Sequence, residues 1–178
     1  MKFGPVRVSQ AEGGIVAHAL VLDDRRLKKG HVLDHGDIQD LIRAGVDRIT
    51  IARLDDADVE ENDAARLLAD ALTGETIRTA EAFTGRVNLY ARHSGLFTAD
   101  KIGVDRINRV SSSVTLAALA DGSWVEAGRM VATVKIIPFA VERGLIEQVV
   151  STIEGQVIID LCVARAHRVG LVATRLPS

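Results

Sequence analysis

The sequence is poor in the residues that usually carry redox, stacking or membrane functions. It has 178 residues but only one Cys, four Phe, one Trp and one Tyr. A single thiol excludes an internal disulfide, which fits the reducing cytoplasm. So few aromatic side chains argue against a base-stacking surface. No segment reaches the ~20 apolar residues of a membrane span or resembles a signal peptide. We therefore expect a cytoplasmic protein without a membrane partner.

The net charge is also small: the sequence has 22 basic and 24 acidic residues, which give a formal net charge of −2. The two signs are interspersed, so no basic patch can neutralise the phosphates of a nucleic acid, and we expect no nucleic-acid partner. What the sequence does have is 47% hydrophobic residues. This composition predicts one sizeable globular domain or two small ones.

The hydrophobic periodicities predict an α+β fold that is mixed and β-rich, with small sheets and three to four short helices. Predicted strands cover residues 6–8, 15–22, 46–54, 77–83, 86–91, 95–97, 114–119, 130–137, 156–163 and 168–174. Predicted helices cover residues 38–44, 104–109 and 141–153, together with one that begins after Asp58 and ends at Gly74. The strand over 130–137 is the longest and is expected in the interior of a sheet.

Helix boundaries are predicted from capping residues. Asp34 or Asp37 is the candidate N-cap of the first helix, and Gly45 stands where that helix would end in left-handed conformation. Asp58 and Glu61 have the spacing of a capping box at the start of the second helix. The buried face of the first helix is expected to contain Ile38, Leu41 and Ile42.

The last residues, 168–178, read as a strand that is apolar on both faces and opens into a loop. Such a strand is typical of the middle of a parallel sheet, so we expect the first strand of a following α/β domain and a longer protein. The alternative is a natural C-terminal strand that closes a small sheet. The predicted divisions are residues 1–74, 75–167 and 168–178.

Two groups that could be reactive, Cys162 and the pair His31 and His35, are better interpreted as structural residues. Cys162 lies in an apolar run without a basic neighbour, which predicts a buried, inert thiol. His31 and His35 are four residues apart and could ligate a metal from one helix. Because Gly36 falls between them, we expect the helix to begin after Gly36 and this segment to be a solvated turn without metal.

The most suggestive polar residues lie on predicted strands. Gly85 allows close backbone approach, while Arg86 and Asn88 alternate onto one side of a strand and offer donors to an anion. Lys135 is the single charge within residues 130–137. Its side chain either extends along the outward face of the sheet or points into a ligand groove. Arg86, Asn88 and Lys135 are therefore the candidate ligand-binding residues, and no catalytic residue is identified.

Five segments carry a resemblance to a known family. They are MKFGPV at the N-terminus, LKKG at 27–30 with Leu33 and Asp37-Ile38, FTGRVNLYA at 83–91, MVATVKIIPFAV at 130–141, and RVGLVATRLP at 168–177. Together they resemble the N-terminal region of bacterial molybdopterin-binding proteins related to the molybdopterin molybdenumtransferase. Some proteins of that group also carry a C-terminal cytidylyltransferase-like domain.

The resemblance implies a role in molybdenum-cofactor biosynthesis or handling, with molybdopterin or a related pterin or nucleotide as partner. It places the pterin-phosphate site in a doubly wound α/β domain, which would here begin at Arg168. On that basis residues 1–178 would bind molybdopterin weakly or not at all. If Arg86, Asn88 and Lys135 form a groove, they would bind it by themselves.

Three functions follow from these observations. The leading one is a non-catalytic N-terminal module of a molybdopterin-binding protein, which shapes a cofactor groove or an oligomer contact and belongs to a parent that could be a molybdenum-cofactor transferase. The second is an oligomerisation scaffold without ligand, hence a homo-oligomer. The third is a free-standing small-molecule enzyme that uses Arg86, Asn88 and Lys135, and it ranks last because no paired acid and base can be named.

Overall fold

A computed structural model describes residues 1–22 and 25–174 of the protein. The fold is α+β, as predicted, with short antiparallel strands in small sheets and four helices in this part of the chain. The buried apolar side chains form two clusters. The first lies within residues 8–51 and the second within residues 59–161. The protein is thus built from two packed units that follow one another along the chain.

The first unit packs one helix and a short hairpin against a three-stranded antiparallel sheet. Its elements are β1 (Lys2–Arg7), β2 (Ile15–Val16), β3 (Leu20–Val21), β4 (Arg26–Leu27), α1 (His35–Arg43) and β5 (Arg48–Arg53). The sheet order is β1-β5-β2, and β3 pairs with β4. The predicted strand over 15–22 is therefore wrong in its length. The chain bends at residues 17–18, where the Ala17 N–H donates to the carbonyl of Thr50, and then enters the β3–β4 hairpin.

Helix α1 is capped at both ends by residues that the sequence identified. Asp34 is the N-cap, and its carboxylate accepts the N–H of Asp37 at 2.8 Å while the Asp37 carboxylate accepts the N–H of Asp34 at 2.9 Å. Gly45 has φ +71° after the last turn, as predicted. Two expectations are wrong. The helix begins before Gly36 because the Asp34 cap precedes it, and Ile42 is 51% exposed because only Ile38 and Leu41 face the core.

The second unit contains a four-stranded antiparallel sheet of order β10-β12-β8-β7 and a three-stranded sheet of order β11-β9-β14. Its strands are β6 (Asp58–Glu60), β7 (Ile77–Thr79), β8 (Arg86–Ala91), β9 (Gly95–Ala99), β10 (Val114–Ala118), β11 (Trp124–Val125), β12 (Met130–Ile136), β13 (Ala140–Glu142) and β14 (Ile159–Val163). Its helices are α2 (Glu61–Leu72), α3 (Lys101–Val110) and α4 (Arg143–Ser151). Strand β12 lies between β10 and β8, so the prediction of an interior strand is confirmed.

Helix α2 starts differently from the predicted capping box. Asp58 lies in strand β6, and its carboxylate accepts the N–H of Asp55. Glu60 is the N-cap instead and accepts the N–H groups of Asn62 and Asp63. The pairing of β6 with β13 draws Asp58 out of the helix. Helix α2 packs into the second cluster. The sequence-based division instead places this helix in a domain of residues 1–74, and that domain boundary stays a prediction.

Residues 168–174 do not form the predicted strand. They are described without regular structure, and Val169, Leu171 and Val172 are 88%, 94% and 87% exposed. A strand needs hydrogen-bonding partners along its backbone, and none of the described strands pairs with this segment. The predicted burial is therefore wrong for residues 168–174, while residues 175–178 of the same prediction lie outside the described residues.

Cys162 is exposed, so the expectation of a buried thiol is wrong. Side chains alternate along β14: Ile159 and Leu161 enter the core, and Cys162 between Leu161 and Val163 faces outward. We expect a thiol reagent such as iodoacetamide to modify Cys162 in the folded protein about as completely as after denaturation. Mass spectrometry of both samples measures this. Protection of the native thiol would contradict the outward orientation of Cys162.

None of the helices in the described part of the chain combines the length and the apolar composition that crossing a bilayer requires.

Candidate functional site

A polar cleft lies where the first unit meets the second. Its volume is about 450 Å³, within the range of small-molecule sites. The first unit contributes residues next to the Lys29–Gly30 turn, and the second unit contributes the start of α2, the turn before β8 and the end of β12. The lining residues are Ile15, Lys29, Gly30, Val32, Glu60, Glu61, Asn62, Phe83, Thr84, Lys135, Ile136, Ile137 and Phe139.

The start of helix α2 fixes two of the three polar side chains that it brings to the cleft. The Glu60 carboxylate accepts the N–H of Asn62 at 2.8 Å and of Asp63 at 3.3 Å, which satisfies N–H groups that a helix leaves unpaired. The side chain of Asn62 donates to Glu60 at 3.2 Å and accepts the N–H of Gly85 at 2.9 Å. Glu60 and Asn62 are therefore committed to holding the helix and the following turn together.

Glu61 differs from these neighbours. Its side chain is half-buried, and no hydrogen bond or ion pair of its carboxylate is formed within residues 1–22 and 25–174. Burial raises the pKa of Glu61, and the nearby negative charge of Glu60 raises it further. Lys29 and Lys135 act in the opposite direction through their positive charges. Glu61 is thus an acceptor held in the cleft without a partner from the described residues.

The turn at Thr84–Gly85 brings backbone close to Glu61. The φ angles are +48° at Thr84 and +69° at Gly85, and the backbones of Phe83 and Arg86 bond to each other in both directions. Positive φ at both central residues is typical of a type I′ hairpin turn. A Cβ on Gly85 would lie 2.7 Å from the carbonyl oxygen of Ile136, so the predicted close approach of backbone is confirmed. A β-branched residue at positive φ is a strained position, and such positions concentrate at functional sites.

Two aromatic rings contribute to the apolar part of the cleft, together with aliphatic side chains of both units. Phe139 is half-buried and stacks on Phe3 with ring centroids 6.4 Å apart. The Lys29 ammonium lies 5.0 Å from the centre of the Phe139 ring, within cation–π range. Phe83 is 76% exposed, which is unusual for a Phe and leaves its ring accessible.

The structure brings the three sequence-predicted site residues onto one face of the four-stranded sheet. Arg86 is the cross-strand partner of Lys135, and Asn88 is the partner of Thr133 two positions along. Cross-strand partners share a face, so Arg86, Asn88 and Lys135 point the same way. Among them Lys135 lines the cleft, whereas Arg86 and Asn88 do not. Their role in binding stays a prediction.

Sequence reasoning missed Lys29, Glu61 and Asn62 as members of one site. They come from segments more than thirty residues apart, and no spacing rule links a turn in one unit to a helix start in the other. The Thr84–Gly85 pair was a local signal, because Gly at the second position of a two-residue turn is typical of β-hairpins. It pointed to the turn, but not to the helix that faces it.

A second polar cluster lies at the start of α1. The Asp37 side chain is 1% exposed, and its carboxylate is bound by Arg25 at 2.6 Å and by His31 Nε2 at 2.6 Å. His31 directly follows the Lys29–Gly30 turn and its side chain is 40% exposed, as expected for a solvated segment, but its ring also binds a buried carboxylate. His35 Nδ1 lies 3.6 Å from Glu12 instead. No group of three potential metal ligands is found in the described part of the chain.

An apolar groove of about 560 Å³ runs between α2 and α4. Its apolar lining residues are Val59, Leu67, Ala71, Ile146 and Val150, and its polar lining residues are Arg143, Glu147, Ser151 and Glu154. It offers an apolar contact surface.

Comparison with known proteins gives one match. A family model described as a domain of unknown function (DUF8806) matches residues 5–53, well under half of the chain. The matched segment contains the first cluster of buried residues and the Lys29 side of the cleft. No curated protein and no solved structure matches the chain.

Proposed function

We propose that this chain is a non-catalytic N-terminal module of a molybdopterin-binding protein and that it acts in molybdenum-cofactor biosynthesis or handling in the cytoplasm. The resemblance alone implies weak or absent pterin binding by residues 1–178, but the cleft favours the alternative, in which these residues contact the phosphorylated pterin themselves. The five sequence segments that resemble such proteins support the first part of this proposal. Three of them supply residues of the cleft: LKKG at 27–30 contains Lys29, FTGRVNLYA at 83–91 contains Phe83, and MVATVKIIPFAV at 130–141 contains Lys135 and Phe139.

The observation that carries the proposal is the convergence of two ammonium groups on one cleft from separate units of the fold. Lys29 and Lys135 both line the cleft, and neither forms an ion pair with a carboxylate of the described residues. Two unpaired cations at the mouth of a half-polar cavity suit a phosphate group. The residues of the cleft therefore fit the anionic end of a phosphorylated pterin, with Phe83 able to cover an aromatic ring.

The non-catalytic character is supported by the roles that the polar groups already have. Glu60 and Asn62 hold helix α2 and the turn before β8, while Asp37 and His31 bind each other at the start of α1. The cleft leaves Glu61 as the carboxylate without a partner among the described residues, and a single acceptor beside two lysines suits the binding of a ligand. Ligand binding and positioning is the activity that the cleft offers.

Substitution of Lys135 by Gln is expected to weaken binding of a phosphorylated pterin by about 1.5–3 kcal/mol, the range of a hydrogen bond to a charged group. Isothermal titration calorimetry with the phosphorylated pterin, the unphosphorylated pterin and inorganic phosphate measures the effect and assigns it to the phosphate. Lys101→Gln is the control for the loss of one positive charge, because Lys101 is an exposed lysine of α3 that lies outside the cleft and pairs with Asp105 at 2.6 Å.

The variant Arg86→Ala extends this test to the neighbouring face of the sheet. If it weakens binding as much as Lys135→Gln, the anion spans the cleft and the sheet face. If binding is unchanged, the anion lies within the cleft. Failure of the native protein to bind the phosphorylated pterin, or equal binding by the Lys135 and Lys101 variants, would contradict the proposal.

One observation favours the second candidate, a homo-oligomeric scaffold. The apolar groove between α2 and α4 leaves Leu67 45% exposed, and such a surface is typical of contacts between protein chains. Sedimentation equilibrium distinguishes the two candidates, because a scaffold forms a defined oligomer without any ligand.

A further inference from the structure

Among the described residues, the Glu61 carboxylate and the two ammonium groups of the cleft do not form an ion pair with one another. Glu61 is close enough to Lys29 and Lys135 for their charges to act on it, yet no ion pair joins it to either lysine among the described residues. Opposite charges attract one another more strongly as the distance between them falls. Here Lys29 belongs to a turn of the first unit, Glu61 to the first turn of α2 and Lys135 to an interior strand. The space between them is the cleft itself.

A ligand that satisfies both ends must therefore carry donors and an anion. The Glu61 carboxylate can only accept hydrogen bonds while it is ionised, and two parallel N–H donors fit its two oxygens. The lysines, in contrast, can only donate. A ring between the two ends would meet Phe83, whose side chain is accessible at the edge of the cleft.

The neighbours of Glu61 already accept hydrogen bonds from the protein. The oxygens of Glu60 are occupied by two backbone N–H groups and by the Asn62 side chain. The Asn62 oxygen is occupied by the N–H of Gly85. Glu61 is thus the carboxylate of the cleft that is left for a ligand within the described part of the chain.

We infer that the cleft recognises planar heterocycles with a 2-amino-4-oxo-pyrimidine edge and a phosphate, the combination shared by phosphorylated pterins and guanine nucleotides, with Glu61 as the acceptor for the edge. The inference rests on the proposed function in taking the cleft as the ligand site. In this edge a ring N–H and an exocyclic amino group lie side by side, which is the donor pair that a carboxylate accepts in bidentate fashion. Hypoxanthine nucleotides keep the ring N–H but lack the amino group.

The test compares GMP with IMP, two stable probes that differ in this amino group, by calorimetry on the full chain. GMP is expected to bind at least about tenfold more tightly than IMP, because a site built to accept a donor discriminates against the analogue that lacks it. Glu61→Gln is expected to reduce this ratio to less than about threefold, since the amide presents a donor where one acceptor oxygen was. Glu154→Gln, which removes an exposed carboxylate at the apolar groove, is the matched control and should keep the ratio.

The ratio of the affinities for GMP and IMP is measured on the native protein, so the test does not depend on whether Glu61→Gln folds. A phosphorylated pterin and the corresponding phosphorylated lumazine, in which an oxo group replaces the 2-amino group, give a second ratio. Equal binding within both pairs, with the phosphorylated pterin bound, overturns this inference and leaves the proposed function standing. Discrimination between GMP and IMP without binding of the pterin overturns the proposed function and the pterin part of the inference, and it supports Glu61 as the acceptor for the guanine edge. Absence of binding by all four probes overturns both.

Discussion

Truncation of Phe97 to alanine is expected to lower the free energy of unfolding by about 3–5 kcal/mol. Phe97 lies on β9, is fully buried at 0% exposure and belongs to the larger of the two clusters. Removal of its ring loses buried apolar surface and leaves a cavity that interior strands cannot collapse to fill. Urea unfolding followed by circular dichroism measures the change. The effect is large because most domains are stable by only about 5–15 kcal/mol.

Phe83→Ala provides the matched control for Phe97→Ala, because it removes the same ring from a side chain that is 76% exposed. Its effect on unfolding is expected to stay within about 0.5 kcal/mol. Similar losses in both variants would show that burial does not separate Phe97 from Phe83, and the described core would then be wrong.

Substitution of Asp37 by alanine is expected to lower the free energy of unfolding by about 3 kcal/mol. The change removes a carboxylate that is 1% exposed and that binds Arg25, His31 and the N–H of Asp34. It also removes one half of the capping box of α1. Asp40→Ala is the control, because Asp40 also binds Arg25 at 2.6 Å but at a more exposed position. Exposed pairs of that kind contribute at most about 1 kcal/mol.

The contribution of Asp37 should also depend on pH in a defined direction. Burial by itself would raise the pKa of Asp37, but the hydrogen bonds from the Asp34 N–H, His31 and Arg25 outweigh it and lower the pKa below its ordinary value of 3.8. A group with a lowered pKa in the folded state stabilises the fold above its unfolded pKa, and this stabilisation is lost as pH falls through the folded pKa. The difference between native protein and Asp37→Ala should therefore be constant near neutral pH and shrink below about pH 4. A difference that stays constant down to pH 2 would contradict the buried carboxylate.

Local signals predicted the fold where one residue decides the outcome. Asp34 and Gly45 bound helix α1 because an N-cap side chain and a left-handed glycine act on their own neighbours. Prediction was wrong where a partner distant in sequence decides. Asp58 has the spacing of a capping box, but β13 pairs with its strand and leaves the cap to Glu60. Cys162 lies in an apolar run, but alternation in β14 turns it outward.

The candidate site was predictable in part for the same reason. The sequence predicted Lys135 as a candidate ligand-binding residue because it is the charged residue of an interior strand. The structure places Lys135 in the lining of the cleft and opposite Arg86 in the sheet. The unpartnered state of the Glu61 carboxylate could not be found from sequence, because it depends on the contacts that Glu60 and Asn62 make with the helix and the hairpin. Which acceptor is free is a property of the folded arrangement.

The position of the cleft between two separately packed units has a consequence for proteins that match this chain only over its first part. Residues 5–53, which the family model matches, contain the whole first cluster of buried residues. They include Lys29 and one wall of the cleft, but neither Glu61 nor Lys135. A protein similar to this chain over these residues alone would therefore have one wall of the cleft, and its second wall would depend on the residues that follow.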